Sequence, residues 1–69
     1  MKISARNLLK GKVKSVRHGD VNCEVVIEVA PGIDVVSVIT ESSAKNLGLA
    51  VGKDAYAVIK ASSVMVATD

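Results

Sequence analysis

A chain of 69 residues holds one domain whose small core is marginal by itself. Nine Lys and Arg against seven Asp and Glu leave a net charge of +2, too little to mark a polyanion partner. Cys23 and His18 are single occurrences, which excludes an intrachain disulfide and leaves too few Cys and His for a structural zinc site, so no metal ligands are expected. Association with other copies is the remaining way to stabilise so short a fold.

Hydrophobic residues make up 49% of the chain, yet Tyr56 is the only aromatic. The apolar mass is Val, Ala, Ile and Leu, which is strand-forming material with little bulk per residue. No stretch reaches the ~20 apolar residues of a membrane span. The opening Met1-Lys2-Ile3-Ser4 lacks a long apolar run, so no signal peptide is expected. With a free thiol, this predicts the cytoplasm.

In chain order, Asn7 to Arg17 reads as a first strand with a phase break. Val13 and Val16 would fall on opposite faces, which predicts a bulge near Lys14-Ser15. His18-Gly19-Asp20 makes a turn. Val21 to Val29 is the clearest strand, with Val21, Cys23, Val25, Ile27 and Val29 on one face. Ala30-Pro31-Gly32 turns into a third strand, Ile33 to Thr40, apolar on both faces. Glu41 to Leu47 is the one good helix, with Thr40 as N-cap, Gly48 as the closing glycine, and Ala44 and Leu47 facing inward. Lys53 to Ala61 is a fourth strand and Val64 to Ala67 a short fifth. The order β-β-β-α-β-β predicts an all-β fold: a five-stranded Greek-key barrel of the OB type with one short helix between strands three and four. Strands apolar on both faces cannot hide both in so small a monomer, which predicts a homo-oligomer.

The search for an enzyme finds little. No Ser sits in G-x-S-x-G or beside a His, and Gly48 and Gly52 lack the ending of a P-loop. His18 and Asp20 read as a solvated turn, and Cys23, on the apolar face, as a buried inert thiol. OB folds often bind single-stranded nucleic acid, but that mode needs aromatic platforms and a basic groove, and one Tyr does not supply them. Nucleic-acid binding and a ligand-free assembly module stand as alternatives. What remains is small donors around strand ends: Ser4-Ala5-Arg6-Asn7, Thr40-Glu41-Ser42-Ser43, and Lys60-Ala61-Ser62-Ser63. Hydroxyls, amides and two cations of this kind suit an anion, though the same residues also serve as caps and turns.

At these three segments the sequence resembles the molbindins, the molybdate-binding Mop proteins. Ser4-Ala5-Arg6-Asn7 with Leu9 and Gly11 is similar to the signature S-A-R-N-x-[LF]-x-G. Ile39-Thr40, Ser43, Leu47-Gly48-Leu49 and Gly52 resemble its I-T-x-x-S-x-x-x-L-G-[LV]-x-x-G stretch, and Lys60-Ala61 with Ser63-Val64 its K-[AS]-[ST]-x-V stretch. The resemblance spans essentially the whole chain. It implies a non-enzymatic, cytoplasmic protein with no cofactor, binding molybdate or tungstate for storage or homeostasis. It implies a hexamer built as a trimer of dimers, with no nucleic-acid or membrane partner. It places the oxyanion between subunits, with Ser4 and Arg6 from one and Thr40, Ser43, Lys60 and the backbone of Ala61 from its neighbour; Ala5 and Ser62 lie in the same segments. A second site, near a threefold axis, would draw on Gly19, Val21 and Asn22, provided that the Asp20 carboxylate points away.

Overall fold

The computed structural model describes residues 1–69. Its elements are β1 (Asn7–His18), β2 (Asn22–Ala30), β3 (Ile33–Thr40), α1 (Glu41–Leu47) and β4 (Asp54–Ile59), followed by a 3-10 turn at Ala61–Ser63. The strands form one antiparallel sheet in the order β3-β2-β1-β4. Three consecutive strands with the fourth returning beside the first is a Greek-key arrangement.

The bulge falls where the alternation broke. Val13 pairs with Ile27 and Ser15 with Val26, so Lys14 is the extra residue. It brings Val13 into the core and leaves Val16 packed against the same cluster. A second irregularity, between Glu28 and Ala30, precedes the β2–β3 turn, whose Gly32 has a positive φ of 76°. The twist these bulges add curls the sheet around Val13, Cys23, Val25, Ile27, Ala44 and Ala57.

At Gly11 the curl brings β1 against β2 so closely that an added Cβ would collide with the Glu28 carbonyl oxygen and lie 2.9 Å from Ile27 Cγ2. No side chain fits there.

α1 begins and ends as its sequence predicts. Thr40 Oγ1 accepts from the Ser43 N–H at 3.1 Å. At the other end Gly48 adopts φ 63°, and the Gly48 and Leu49 N–H groups donate to the Lys45 and Ala44 carbonyls. These bonds make the paired closure that a left-handed glycine permits.

Several expectations fail. The tail beyond Ser63 forms no fifth strand, and the sheet does not close into a barrel. Val64-Met65-Val66 has strand-forming residues, but strand propensity is realised only against a partner edge, and none receives it within the chain. Met65 and Val66 are 93% and 88% exposed. Leu47 also faces out, at 68% exposed. The two-turn helix reaches the sheet through Ala44, and Leu47 stands at the rim of an apolar hollow shared with Ile39, Leu49 and Tyr56.

Only six of the 69 residues are buried. Val36 and Val38 on β3, Leu8 and Leu9 on β1, and Tyr56 and Val58 on β4 remain exposed. Val21, expected on the inward face of the second strand, lies outside β2 in the turn and is exposed as well.

Candidate functional site

β1 and β4 run antiparallel, with Asn7 opposite Ile59 at the edge of their ladder. The residues before β1 and those after β4 must therefore leave the sheet side by side. The Asn7 side-chain amide donates to the Ile59 carbonyl at 3.3 Å and holds this exit together. An open hollow of about 590 Å³ results, lined by Ile3, Ser4, Ala5, Arg6, Val58, Lys60, Ala61 and Ser62. Residues more than 50 positions apart in sequence thus meet at one end of the sheet.

The chemistry of the wall is one-sided. Arg6 offers a fork of donors, Lys60 a point charge, and Ser4 and Ser62 hydroxyls. No carboxylate lines the hollow. The acids nearest in kind are occupied elsewhere: Asp54 accepts from Lys12 at 2.6 Å and Asp34 from Lys14 at 2.9 Å. The hydrogen bond from Lys12 holds the Asp54 carboxyl below its ordinary value, and that to Asp34 raises Lys14. Neither Arg6 nor Lys60 enters an ion pair. The 3-10 turn after Lys60 is closed by Ser63 N–H to the Lys60 carbonyl at 2.8 Å. A turn of this kind provides its first amides, those of Ala61 and Ser62, with no partner inside the turn.

Thr40 and Ser43 are not part of this hollow. Thr40 pairs with Asn22, and His18 with Cys23, so the start of α1 lies beside the far end of β1. Thr40 Oγ1 also donates to Ser43 Oγ at 2.8 Å, which leaves the Ser43 hydroxyl proton to point elsewhere. Within one chain these two residues make the helix cap.

The turn carrying Gly19, Val21 and Asn22 is fastened to the same helix. The Val21 carbonyl accepts from the Glu41 N–H at 2.8 Å, and the Gly19 N–H donates to Glu41 Oε1 at 3.2 Å. His18 Nδ1 donates to both Glu41 oxygens, at 2.8 and 3.0 Å. That bond, with the Gly19 N–H, holds the Glu41 carboxyl below its ordinary value against a smaller opposing effect of burial. Where the sequence predicts only a solvated turn, His18 is an exposed ring with a defined carboxylate partner 23 positions away. Only the tertiary fold supplies that partner. Cys23 is fully buried, and burial pushes its thiol up, as its place on the apolar face of the strand predicts.

The fold is a small curled Greek-key sheet with a donor-lined hollow at one end. Residues 3–66 match the TOBE domain family, to which the chain belongs. It is 52% identical over all 69 residues, and over the full length of both chains, to a probable molybdenum-pterin-binding protein of Haemophilus influenzae. A molybdate-binding protein from Sporomusa ovata has the same fold at a TM-score of 0.91, with 35% identity over 99% of this chain and 100% of that one. The cytoplasmic molybdate-binding protein ModG, solved with molybdate bound, aligns at a TM-score of 0.84 and 43% identity, covering 88% of this chain and 43% of that one. The molbindin resemblance is therefore that of a true relative. These relatives are named as binding proteins, not as enzymes. No helix is long and apolar enough to cross a membrane.

Proposed function

We propose that the chain binds molybdate and tungstate for intracellular storage or homeostasis, at sites completed between copies of itself. The observation that carries this reading is the hollow where Arg6 and Lys60 stand among hydroxyls and turn amides with no carboxylate. Molybdate is a tetrahedral dianion with four acceptor oxygens and no proton at neutral pH. A wall of cations, amides and hydroxyls suits it and offers the proton of monohydrogen phosphate no carboxylate acceptor. Sulfate presents the same chemistry in a smaller volume, so rejecting it demands a cavity of fixed size. Strand ends hold such a size better than mobile loops. Tungstate matches molybdate in charge and nearly in radius, and the site accepts both.

One chain alone leaves the hollow open, and an open wall cannot measure an anion. In the proposed site Ser4, Arg6, Lys60 and the Ala61 amide of one copy, with Ala5 and Ser62 at the edges, face Thr40 and Ser43 of its neighbour, not the division of Arg6 and Lys60 between copies that the resemblance implies. The Thr40-to-Ser43 hydrogen bond favours this role, because the Ser43 hydroxyl then donates outward. The exposed Val64-Met65-Val66 tail and the apolar hollow beside Leu47 favour assembly, since water-exposed surfaces of this kind are costly in a monomer. The assembly we infer is a hexamer of three dimers, in the cytoplasm. The turn of Gly19, Val21 and Asn22 draws less support as a second oxyanion site, because the Gly19 amide is already bonded to a carboxylate.

Calorimetric titration with molybdate, tungstate and sulfate in parallel tests the reading. Saturable molybdate and tungstate binding with sulfate at least tenfold weaker supports it; no molybdate heat sinks it. Native mass spectrometry tests the assembly, and a monomer at every concentration would reject the shared site.

A further inference from the structure

At the opposite end of β1 from the basic hollow, three side chains from three elements converge: His18 at the end of β1, Cys23 at the start of β2 and Glu41 as the first residue of α1. Their ligand atoms all lie within 4.8 Å of one another. His18 Nδ1 is 2.8 Å from Glu41 Oε2 and 4.0 Å from Cys23 Sγ. Each position has its own local cause. The β1–β2 register sets His18 opposite Cys23, and the bond from the Glu41 amide to the Val21 carbonyl ties the helix start to the same turn. The Gly19 amide then aims the carboxylate.

The arrangement does not suit a nucleophile. In a Cys–His–carboxylate relay the ring presents one nitrogen to the thiol and the other to the acid. Here the carboxylate and the sulfur both approach Nδ1, and the thiol is fully buried. Three unlike donor atoms aimed at one point do suit a cation.

We propose that His18 Nδ1, Cys23 Sγ and a Glu41 carboxylate oxygen form a binding site for a zinc-class divalent cation. Imidazole, thiolate and carboxylate are the zinc ligand set, and three protein ligands leave a fourth position open. Tetrahedral zinc at ordinary bond lengths separates such ligand atoms by about 3.4–3.6 Å. The nitrogen–oxygen distance must open and the nitrogen–sulfur distance must close, each by roughly half an ångström. The sulfur and the carboxylate, which lie within 4.8 Å of each other, must close as well, so the site forms by side-chain adjustment of the exposed His18 and the half-buried Glu41 about the fixed Cys23. Charge balances as well: thiolate and carboxylate neutralise a dication, so the half-buried site holds no net charge. On binding, the Cys23 thiol loses its proton to solvent. The imidazole, protonated on Nδ1 while it donates to Glu41, carries its proton on Nε2 instead. The site joins the β1–β2 turn to the start of α1, the element that bears Thr40 and Ser43.

The test uses the intact, metal-stripped protein titrated with cobalt(II) chloride and followed by absorption, then with zinc chloride by calorimetry. The wild type is expected to take one cation per chain and to give a thiolate-to-cobalt charge-transfer band. His18→Gln, at an exposed ring, leaves the fold readable by circular dichroism and weakens zinc at least about tenfold. Cys23→Ser abolishes the charge-transfer band. Absence of that band in the wild type, or full zinc affinity in a folded His18→Gln protein, overturns the proposal.

Discussion

The two ends of β1 offer opposite chemistry on one strand. Before Asn7 the chain meets the segment after β4, and the wall is Arg6, Lys60, hydroxyls and amides. Past Arg17 it meets the β2 start and the helix, and the cluster is imidazole, thiol and carboxylate. The first end has no acceptor charge and the second has a carboxylate fixed by two donors. A sheet with little core can hold both because its rigid ladder keeps them apart. An anion end and a cation end would otherwise neutralise each other through their own side chains.

The largest expected effect breaks the first end alone. Arg6→Ala and Lys60→Ala each remove charge-assisted bonds and cost about 2 kcal/mol or more of molybdate affinity, or about thirtyfold in Kd. Mixing Arg6→Ala and Ser43→Ala chains sharpens the point. If the hollow of one copy meets Thr40 and Ser43 of another, mixed oligomers regain intact sites, which calorimetry counts. Recovery of none would place the whole site in one chain.

Gly11→Ala attacks the spacer between the ends. Its methyl group meets the Glu28 carbonyl, so β1 and β2 must part, at a cost of about 1–3 kcal/mol. Chemical denaturation measures it, and unchanged stability would mean that the close approach at Gly11 is not maintained. Thr40→Ala removes the helix cap and costs about 1 kcal/mol. The thermal midpoint should fall modestly, and an unchanged midpoint would dismiss the capping role.

The smallest effect concerns pH. Lys12 lowers the Asp54 carboxyl in the folded state, so this group stabilises the fold fully above its ordinary value. That contribution is lost as pH falls through the lowered value. Asp54→Asn should make the acid limb of the stability curve slightly shallower. Because the pair is exposed, the difference should shrink further in high salt.

Local rules were legible in the residues themselves. The bounds of β3 and α1, the Thr40 cap, the Gly48 closure and the bulge at Lys14 all follow from side-chain periodicity and from what single residues permit. The three donor-bearing segments were visible as motifs, but their division into two ends of the sheet was not. Ser4 to Arg6 joins Lys60 to Ser62 only because β1 lies beside β4, whereas Thr40 and Ser43 go to the far end with β2 and β3. Glu41 looked like a residue suited to a helix start and nothing more. Counting Cys and His alone hid the cluster it completes.

By itself, then, the sequence determined where the first four strands lie and where the helix starts and stops, because those depend on neighbours within a few positions. Only the tertiary structure decided that the tail finds no partner edge, that Leu47 faces outward, and that His18, Cys23 and Glu41 share a point. Those outcomes depend on strand order and register, which bring together groups that no local pattern connects.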